Sequence, residues 1–295
     1  MVASSTVAFA IALIVAAPGS GQAPLRPAKA RVNRIAVLVL ENRSSNQIIG
    51  NPSAPYLNSL ARRGALATHY YAITHPSLPN YLALTTGGHQ NVNRDCTSCR
   101  SRGQSLANQL ETAKISWRAY FESIQNPLTT TFSRGSAYDP HYNPFAYTAA
   151  LRAPDPVGDV GTFAALHHDL ATRALPRFAW IAPNVWHDGH NVKLATVDRF
   201  ARQLVPRIVA ALGPRGVLFV TWDEGQNSDT QGAHGLGGGH VPLIALGPAA
   251  RMGARISLPS NHYALLRTIE STLGLPRLGH ARDATVPSLD GLLRA

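Results

Sequence analysis

Several side chains that can do chemistry fall just where apolar runs end. Glu41-Asn42 follows the run 34–40, and Asp223-Glu224 follows the run 217–222. Carboxylates that converge repel each other unless a cation stands between them. An all-oxygen set of this kind favours a hard divalent ion such as Mg, Ca or Mn. Taken alone, Asp223-Glu224 also reads as a solvated turn. Thr74, His75 and Ser77 end the next run, within THPSLPNY. Pro79 suits the first turn of a helix, which places Ser77 near its N-cap. The hydroxyl and the free N–H groups of that turn then face one space, where an anion can bind. Simple capping of the helix is the plain alternative for Ser77. Asp188-Gly189-His190 is an acid–histidine unit after a strand, and Gly189 permits a tight turn. His240 follows Gly237-Gly238-Gly239, and three glycines allow a backbone to approach a ligand closely. His262 opens the last helix. His69, His89, His167, His168, His187 and His280 read as structural or surface histidines.

These groups need elements that bring them together. RIAVLVL at 34–40 is an uninterrupted apolar run, the pattern of a buried parallel strand. Further strands are expected at 65–73, 116–121, 178–182, 217–222 and 241–246. Helices are expected at 54–63, 79–86, 105–113, 163–174, 196–212 and 263–273, with Gly64 and Gly87-Gly88 as stops. The stretch 123–160 is rich in Pro, Gly, Asn and Tyr and reads as a long excursion over the site face. Alternating strands and helices make this an α/β chain with a mainly parallel sheet and helices on both faces. In such sheets reactive groups gather beyond the carboxyl ends of the strands, and that is where the acid pairs, Ser77 and Asp188 fall.

Composition sets the outer limits. The chain has 295 residues, of which 45% are apolar, enough for a large core and too many for general disorder. Residues 1–22 are expected to be a signal peptide, since the apolar run 7–17 is too short to span a bilayer and has the length of a signal h-region; an uncleaved lipid-embedded anchor is the rival reading. Residues 23–33 read as a lead-in and 34–295 as a single catalytic domain. Export predicts a secreted or cell-envelope protein. In that setting Cys96 and Cys99, the only two cysteines, read as one local disulfide pinning a surface loop, with a free or redox-active pair as the alternative. One CxxC pair supplies too few ligands for a structural zinc site. The net charge is +11, and 24 of the 27 cationic side chains are arginine. Such a charge points to anionic partners, although GC-rich coding writes the same surplus. There is no Lys/Arg-rich block, so no nucleic acid is expected.

Five segments resemble a known family. They are VLVLENRSSNQIIG (37–50), APYLNSLARRGALATHYYAITHPSLPNYLALTTGG (54–88), FAWIAPNVWHDGHN (178–191), VTWDEGQ…GGGHVPLIALGP (220–248) and NHYALLRTIESTLGLPRLGHA (261–281). They resemble the phosphoesterase family of bacterial acid phosphatases and phospholipases C, within the alkaline phosphatase-like superfamily. The compact size and the HPSLPNY wording look like the exported acid phosphatases, including phosphatidylinositol 3-phosphatases. The resemblance implies a three-layer α/β/α sandwich and a secreted phosphomonoesterase that uses a divalent metal and a phosphoserine intermediate. It implies Ser77 as nucleophile, Glu41, Asn42, Asp223 and Glu224 as metal ligands, and Asp188, His190 and His240 as catalytic groups. His190 and His240 both stand as candidates for the general acid. Asn80, His75 and His262 are expected to bind substrate. Where relatives have His-Asn-Pro-Phe, this chain has His141-Tyr142-Asn143-Pro144-Phe145, and Arg43 stands where many have His, so His141 and Arg43 receive no role. The substrate is expected to be a phosphomonoester or a phosphoinositide, with peripheral contact to anionic membranes. A phospholipase C-type phosphodiesterase and a non-enzymatic, basic surface-binding protein are the competing readings.

Overall fold

The structure, a computed structural model, describes residues 1, 32–127, 129–148 and 160–294. Apart from Met1, the expected signal segment lies outside the described residues, as does most of the lead-in. No helix among the described residues is long and apolar enough to cross a membrane.

The apolar runs become the centre of the sheet. β1 (Arg34–Leu40) is fully buried from Ile35 to Leu40, as a parallel strand covered on both faces must be. Next come α1 (Ser45–Ile48) and α2 (Pro55–Arg63), the latter with Pro55 in its first turn. The stretch 65–73, expected as one strand, divides into β2 (Ala65–Ala67) and β3 (Tyr70–Tyr71). The break falls where the Thr68 carbonyl is taken by His240 Nε2 at 2.9 Å. α3 (Ser77–Thr86) starts two residues earlier than expected, so Ser77 is its first residue. Pro79 is no obstacle there, because N–H groups of the first turn have no partner within the helix. α4 (Leu106–Thr112) and β4 (Trp117–Phe121) follow. The excursion then carries a 3₁₀ turn (Pro140–Tyr142), α5 (Pro144–Tyr147) and β5 (Val160–Thr162). Its tyrosines and Phe145 are buried rather than solvated.

The second half holds α6 (Phe163–Ala171), β6 (Phe178–Ala182), α7 (Leu194–Ala211), β7 (Gly216–Trp222) and β8 (Leu243–Leu246). Two-residue strands β9 (Arg255–Ile256) and β10 (Ser260–Asn261) precede α8 (His262–Leu273). The main sheet has eight strands in the order β5-β4-β6-β1-β7-β8-β2-β9. Only β8 runs antiparallel to its neighbours. β3 and β10 form a separate parallel pair. α2, α6 and α7 pack together, as do α3, α4, α5 and α8, giving a mainly parallel three-layer α/β fold.

One buried acid lies away from the sheet edge. Glu270 on α8 is fully buried; Oε1 accepts from Leu278 N at 2.8 Å and Oε2 has no partner. Burial lifts its pKa from 4.5 to about 8, against the pull of Leu278 N and nearby arginines. The folded protein therefore keeps this proton while the unfolded chain loses it above pH 4.5. Stability that is present at low pH is lost as pH rises toward 8. Thermal melts should show this fall, at most about 5 kcal/mol, and Glu270→Gln should flatten it. An unchanged pH slope in that variant would exclude Glu270 as its source.

Candidate active site

Strand register assembles the site. β1 pairs in parallel with β7, Leu40 opposite Trp222. Glu41-Asn42 and Asp223-Glu224 therefore emerge side by side. β6 lies on the other side of β1, with Leu38 opposite Ile181, and its loop returns so that Glu41 N donates to Asp188 O at 3.0 Å. Three neighbouring strands thus place Asp188, Glu41 and Asp223 along one edge. All three are buried, as is Glu224. Burial raises the pKa of Glu41, with Asp223 and Asp188 adding to it, and raises that of Asp223, with Glu224 adding to it.

Ser77 faces this edge. Its Oγ lies 3.1 Å from Glu41 Oε2, 3.0 Å from Glu224 Oε1 and 3.4 Å from Asn42 Oδ1. One hydroxyl hydrogen serves three oxygens. Asn42 holds a left-handed backbone (φ 38°), which asparagine tolerates better than most residues. That conformation lets Asn42 N donate to Asp223 Oδ1 at 3.2 Å and Nδ2 to Glu224 Oε1 at 2.7 Å. The Leu78 N–H, expected to be open to an anion, donates to Asp95 Oδ1 at 2.9 Å.

The histidines divide. His75 Nδ1 meets Glu224 Oε2 and Nε2 meets the Asp229 carbonyl. A carboxylate and a carbonyl thus face the two ring nitrogens, an arrangement that favours the protonated ring. The hydrogen bond to Glu224 holds its pKa above the usual range, in spite of partial burial. It is thus a charge partner of Glu224 in the site. His262 is a correction. It is fully buried between Tyr70 OH, 2.9 Å from Nδ1, and the Asp223 carbonyl at Nε2. Burial lowers its pKa to about 4, so it is neutral and has no ring nitrogen left for substrate. It anchors the Asp223 backbone instead. His240 points to Thr68, and its ring lies beside Tyr71; no contact joins it to Ser77. His190 is exposed beside Asp188, to which it donates through its backbone N–H at 2.8 Å.

Asn80 is a second correction. Its Oδ1 accepts from Ile73 N and Thr74 N, and its Nδ2 donates to Thr74 O and Pro76 O. All four bonds are internal, so Asn80 fastens the turn before Ser77 rather than binding substrate. Asn80→Ala should therefore lower stability by about 2–3 kcal/mol and reduce kcat. Raised KM with unchanged Tm would restore the substrate-binding role. The three glycines do allow a close approach, as expected. Their close approach is to the chain itself: a Cβ on Gly238 would stand 2.4 Å from Thr74 N, and one on Gly239 (φ +96°) 2.8 Å from Gly225 Cα.

Two tyrosines complete the site without having been expected. Tyr81 OH donates to Glu41 Oε1, and Tyr142 OH donates to Asp188 Oδ2 at 2.7 Å. Their rings stack at 5.7 Å. Tyr81 is four residues beyond Ser77, on the same helix face, a spacing readable in the sequence. Tyr142 sits in the excursion and carried no such signal. The Cys96–Cys99 disulfide is present as expected.

The donor set suits a hard cation in kind. Asp223 Oδ2 is buried without a partner, and every oxygen comes from a carboxylate, an amide or a hydroxyl. The carboxylates are not already gathered round one point. Among the described residues, no group of three or more His, Cys, Asp or Glu is arranged to hold a metal. Glu41 and Glu224 each give one oxygen to a neighbour, Tyr81 or His75, and the other to Ser77. A complete set needs Asn42 and Ser77 as well.

Comparison with known proteins gives the family. Residues 51–276 match the model of the Phosphoesterase family. A phosphatidylinositol-3-phosphatase of Mycobacterium tuberculosis is 31% identical over 257 residues, 85% of this chain and 80% of that protein. A probable acid phosphatase of Kluyveromyces lactis is 28% identical over 87% of this chain, which spans 62% of the yeast protein. Among solved structures, a protein in the alkaline phosphatase superfamily from Vibrio parahaemolyticus superposes with a TM-score of 0.61 at 11% identity. It covers 90% of this chain and 72% of its own. The chain belongs to the Phosphoesterase family and is a hydrolase of phosphoric ester bonds.

Proposed function

We propose that the chain is a secreted, metal-dependent phosphomonoesterase of the acid phosphatase type, with phosphoinositides among its substrates. The observation that carries this reading is Ser77 Oγ at the start of α3, 3.0–3.1 Å from two buried carboxylates. The relatives named above, an acid phosphatase and a phosphatidylinositol-3-phosphatase, supply the substrate class. The apolar run at 7–17 and the disulfide support export.

Glu41, Asn42, Asp223 and Glu224 would hold a divalent cation. The chemistry supplied by such an ion is Lewis-acid: a lower pKa for a bound hydroxyl and neutralisation of phosphoryl charge. Ser77 Oγ forms a bond to phosphorus as the bond to the substrate's alkoxy oxygen breaks, and its proton passes to a facing carboxylate. The leaving oxygen takes a proton from His190, whose ring is exposed, rather than from His240, whose Nε2 is held by Thr68. Water then attacks phosphorus and gives a proton to the His190 imidazole, the Ser77 Oγ–phosphorus bond breaks, Oγ takes back the proton held by the facing carboxylate, and phosphate leaves. Asn80 keeps the turn in place, and His75 offsets the charge of Glu224.

Phosphate release from p-nitrophenyl phosphate, phosphatidylinositol 3-phosphate and phosphatidylcholine, with and without chelator, tests the reading. Chelator-sensitive release from the first two supports it. Cleavage of phosphatidylcholine to a phosphorylated head group, with no monoester turnover, would replace it with the phosphodiesterase reading.

A further inference from the structure

Three loops form a rim beside the site, and the structure ties them together. The disulfide loop reaches α3 through Asp95 and Leu78 N, and it receives Thr130 Oγ1 from the excursion on Thr97 O at 2.6 Å. The excursion in turn meets the loop after β6, where Val185 N donates to Ala137 O at 3.0 Å. On this rim stand Trp186, 60% exposed, and Phe132, 57% exposed. The other three tryptophans, Trp117, Trp180 and Trp222, are buried. A tryptophan left this open costs the fold apolar burial with no return inside the molecule. An indole is at home in an interfacial layer that is apolar on one side and wet on the other.

Charge on the same loops points the same way. Arg94, Arg134 and Lys193 are exposed, and among the described residues none pairs with a carboxylate. Three acids among the described rim residues each have a partner. Asp95 accepts from Leu78 N, Asp139 pairs with His141, and Glu122 pairs with His187. Arg100 and Arg102 beside the disulfide are exposed as well, so cations outnumber these three acids and the rim is cationic and aromatic, as an anionic bilayer surface requires.

We propose that this rim docks on a bilayer containing anionic lipid and brings Ser77 to a phosphoester on that surface. The proposal deepens the functional reading above and rests on it for the phosphoester, but docking is measured separately from turnover.

The test uses the full protein with phosphatidylcholine vesicles, prepared with and without phosphatidylserine. Sedimentation with the anionic vesicles is expected, weakening as salt rises. A blue shift of tryptophan emission is expected from Trp186, since the other indoles are already buried. The double variant Trp186→Ser with Phe132→Ser should lose about tenfold or more of the vesicle binding. Hydrolysis of soluble p-nitrophenyl phosphate should stay within about twofold, which shows that the fold survives. Arg134→Glu with Lys193→Glu should weaken binding to anionic vesicles alone. Undiminished vesicle binding by the aromatic variant, or an unshifted emission, overturns the rim. Monoester hydrolysis without any vesicle binding also overturns the rim and leaves the phosphatase reading standing. Vesicle binding without monoester hydrolysis leaves the rim and overturns that reading.

Discussion

Ser77→Ala should reduce turnover on the order of 10⁴-fold or more, the scale on which loss of a nucleophile is felt. Stability should fall by no more than about 1–3 kcal/mol, the cost of leaving Glu41 Oε2 without its donor. Ser77 is the first residue of α3, its side chain does not cap the helix, and alanine suits that position. The loss falls on chemistry because Oγ is set among Glu41, Asn42 and Glu224. Rapid acid quench with a labelled monoester should leave label on the parent protein and none on the variant. Near-normal turnover in Ser77→Ala would remove the nucleophile assignment. Turnover lost in the variant with no label trapped on the parent would instead favour direct attack by water.

Asp223→Asn should move activity and stability in opposite directions. Without a divalent ion, Asp223 is a buried acid with one oxygen unpartnered and a pKa raised by burial and by Glu224. An amide removes a charge that the folded state holds at a cost. Protein stripped with chelator should therefore melt several degrees higher as Asp223→Asn than as the parent at pH 8, about 1–3 kcal/mol. Added Mg²⁺, Mn²⁺ or Ca²⁺ should stabilise the parent by mass action, with little gain in the variant. Turnover of the variant should fall by roughly 10³-fold or more, since its negative ligand is gone. A parent whose melting point ignores all three ions would remove the metal assignment. A variant that melts lower than the parent after stripping would show that Asp223 is satisfied in a way the geometry does not provide.

The expectations that held share a physical cause. Strands buried on both faces need unbroken apolar runs, so β1, β6 and β7 were readable, and the residues just beyond them had to share an edge. Register then decided which acids meet. The misread residues failed for a different reason. Asn80 and His262 have the composition of ligand-binding groups, and only their hydrogen-bond partners show that their capacity is spent internally. Those partners are backbone atoms and one tyrosine, which leave no periodic trace. The glycines were correctly read as permitting close approach, but composition cannot say to what. Strands of two residues such as β9 and β10 are too short for any alternation to appear. Tyr142 reaches Asp188 from a segment without periodicity, so its place became visible only in three dimensions.

The pairing of β1 with β7 has a consequence for the order of events during synthesis. Asn42 and Glu224, in direct hydrogen bond, are separated by 182 positions in the chain. Nothing resembling the site can form on a growing polypeptide until β7 has left the ribosome and threaded beside a strand made long before. Such distant pairing is slow to find, and the first half of the chain must wait with β1 unpaired on that side, open to aggregation. Regain of activity on dilution from denaturant should therefore coincide with the final folding phase, and no N-terminal fragment ending before β7 should ever be active.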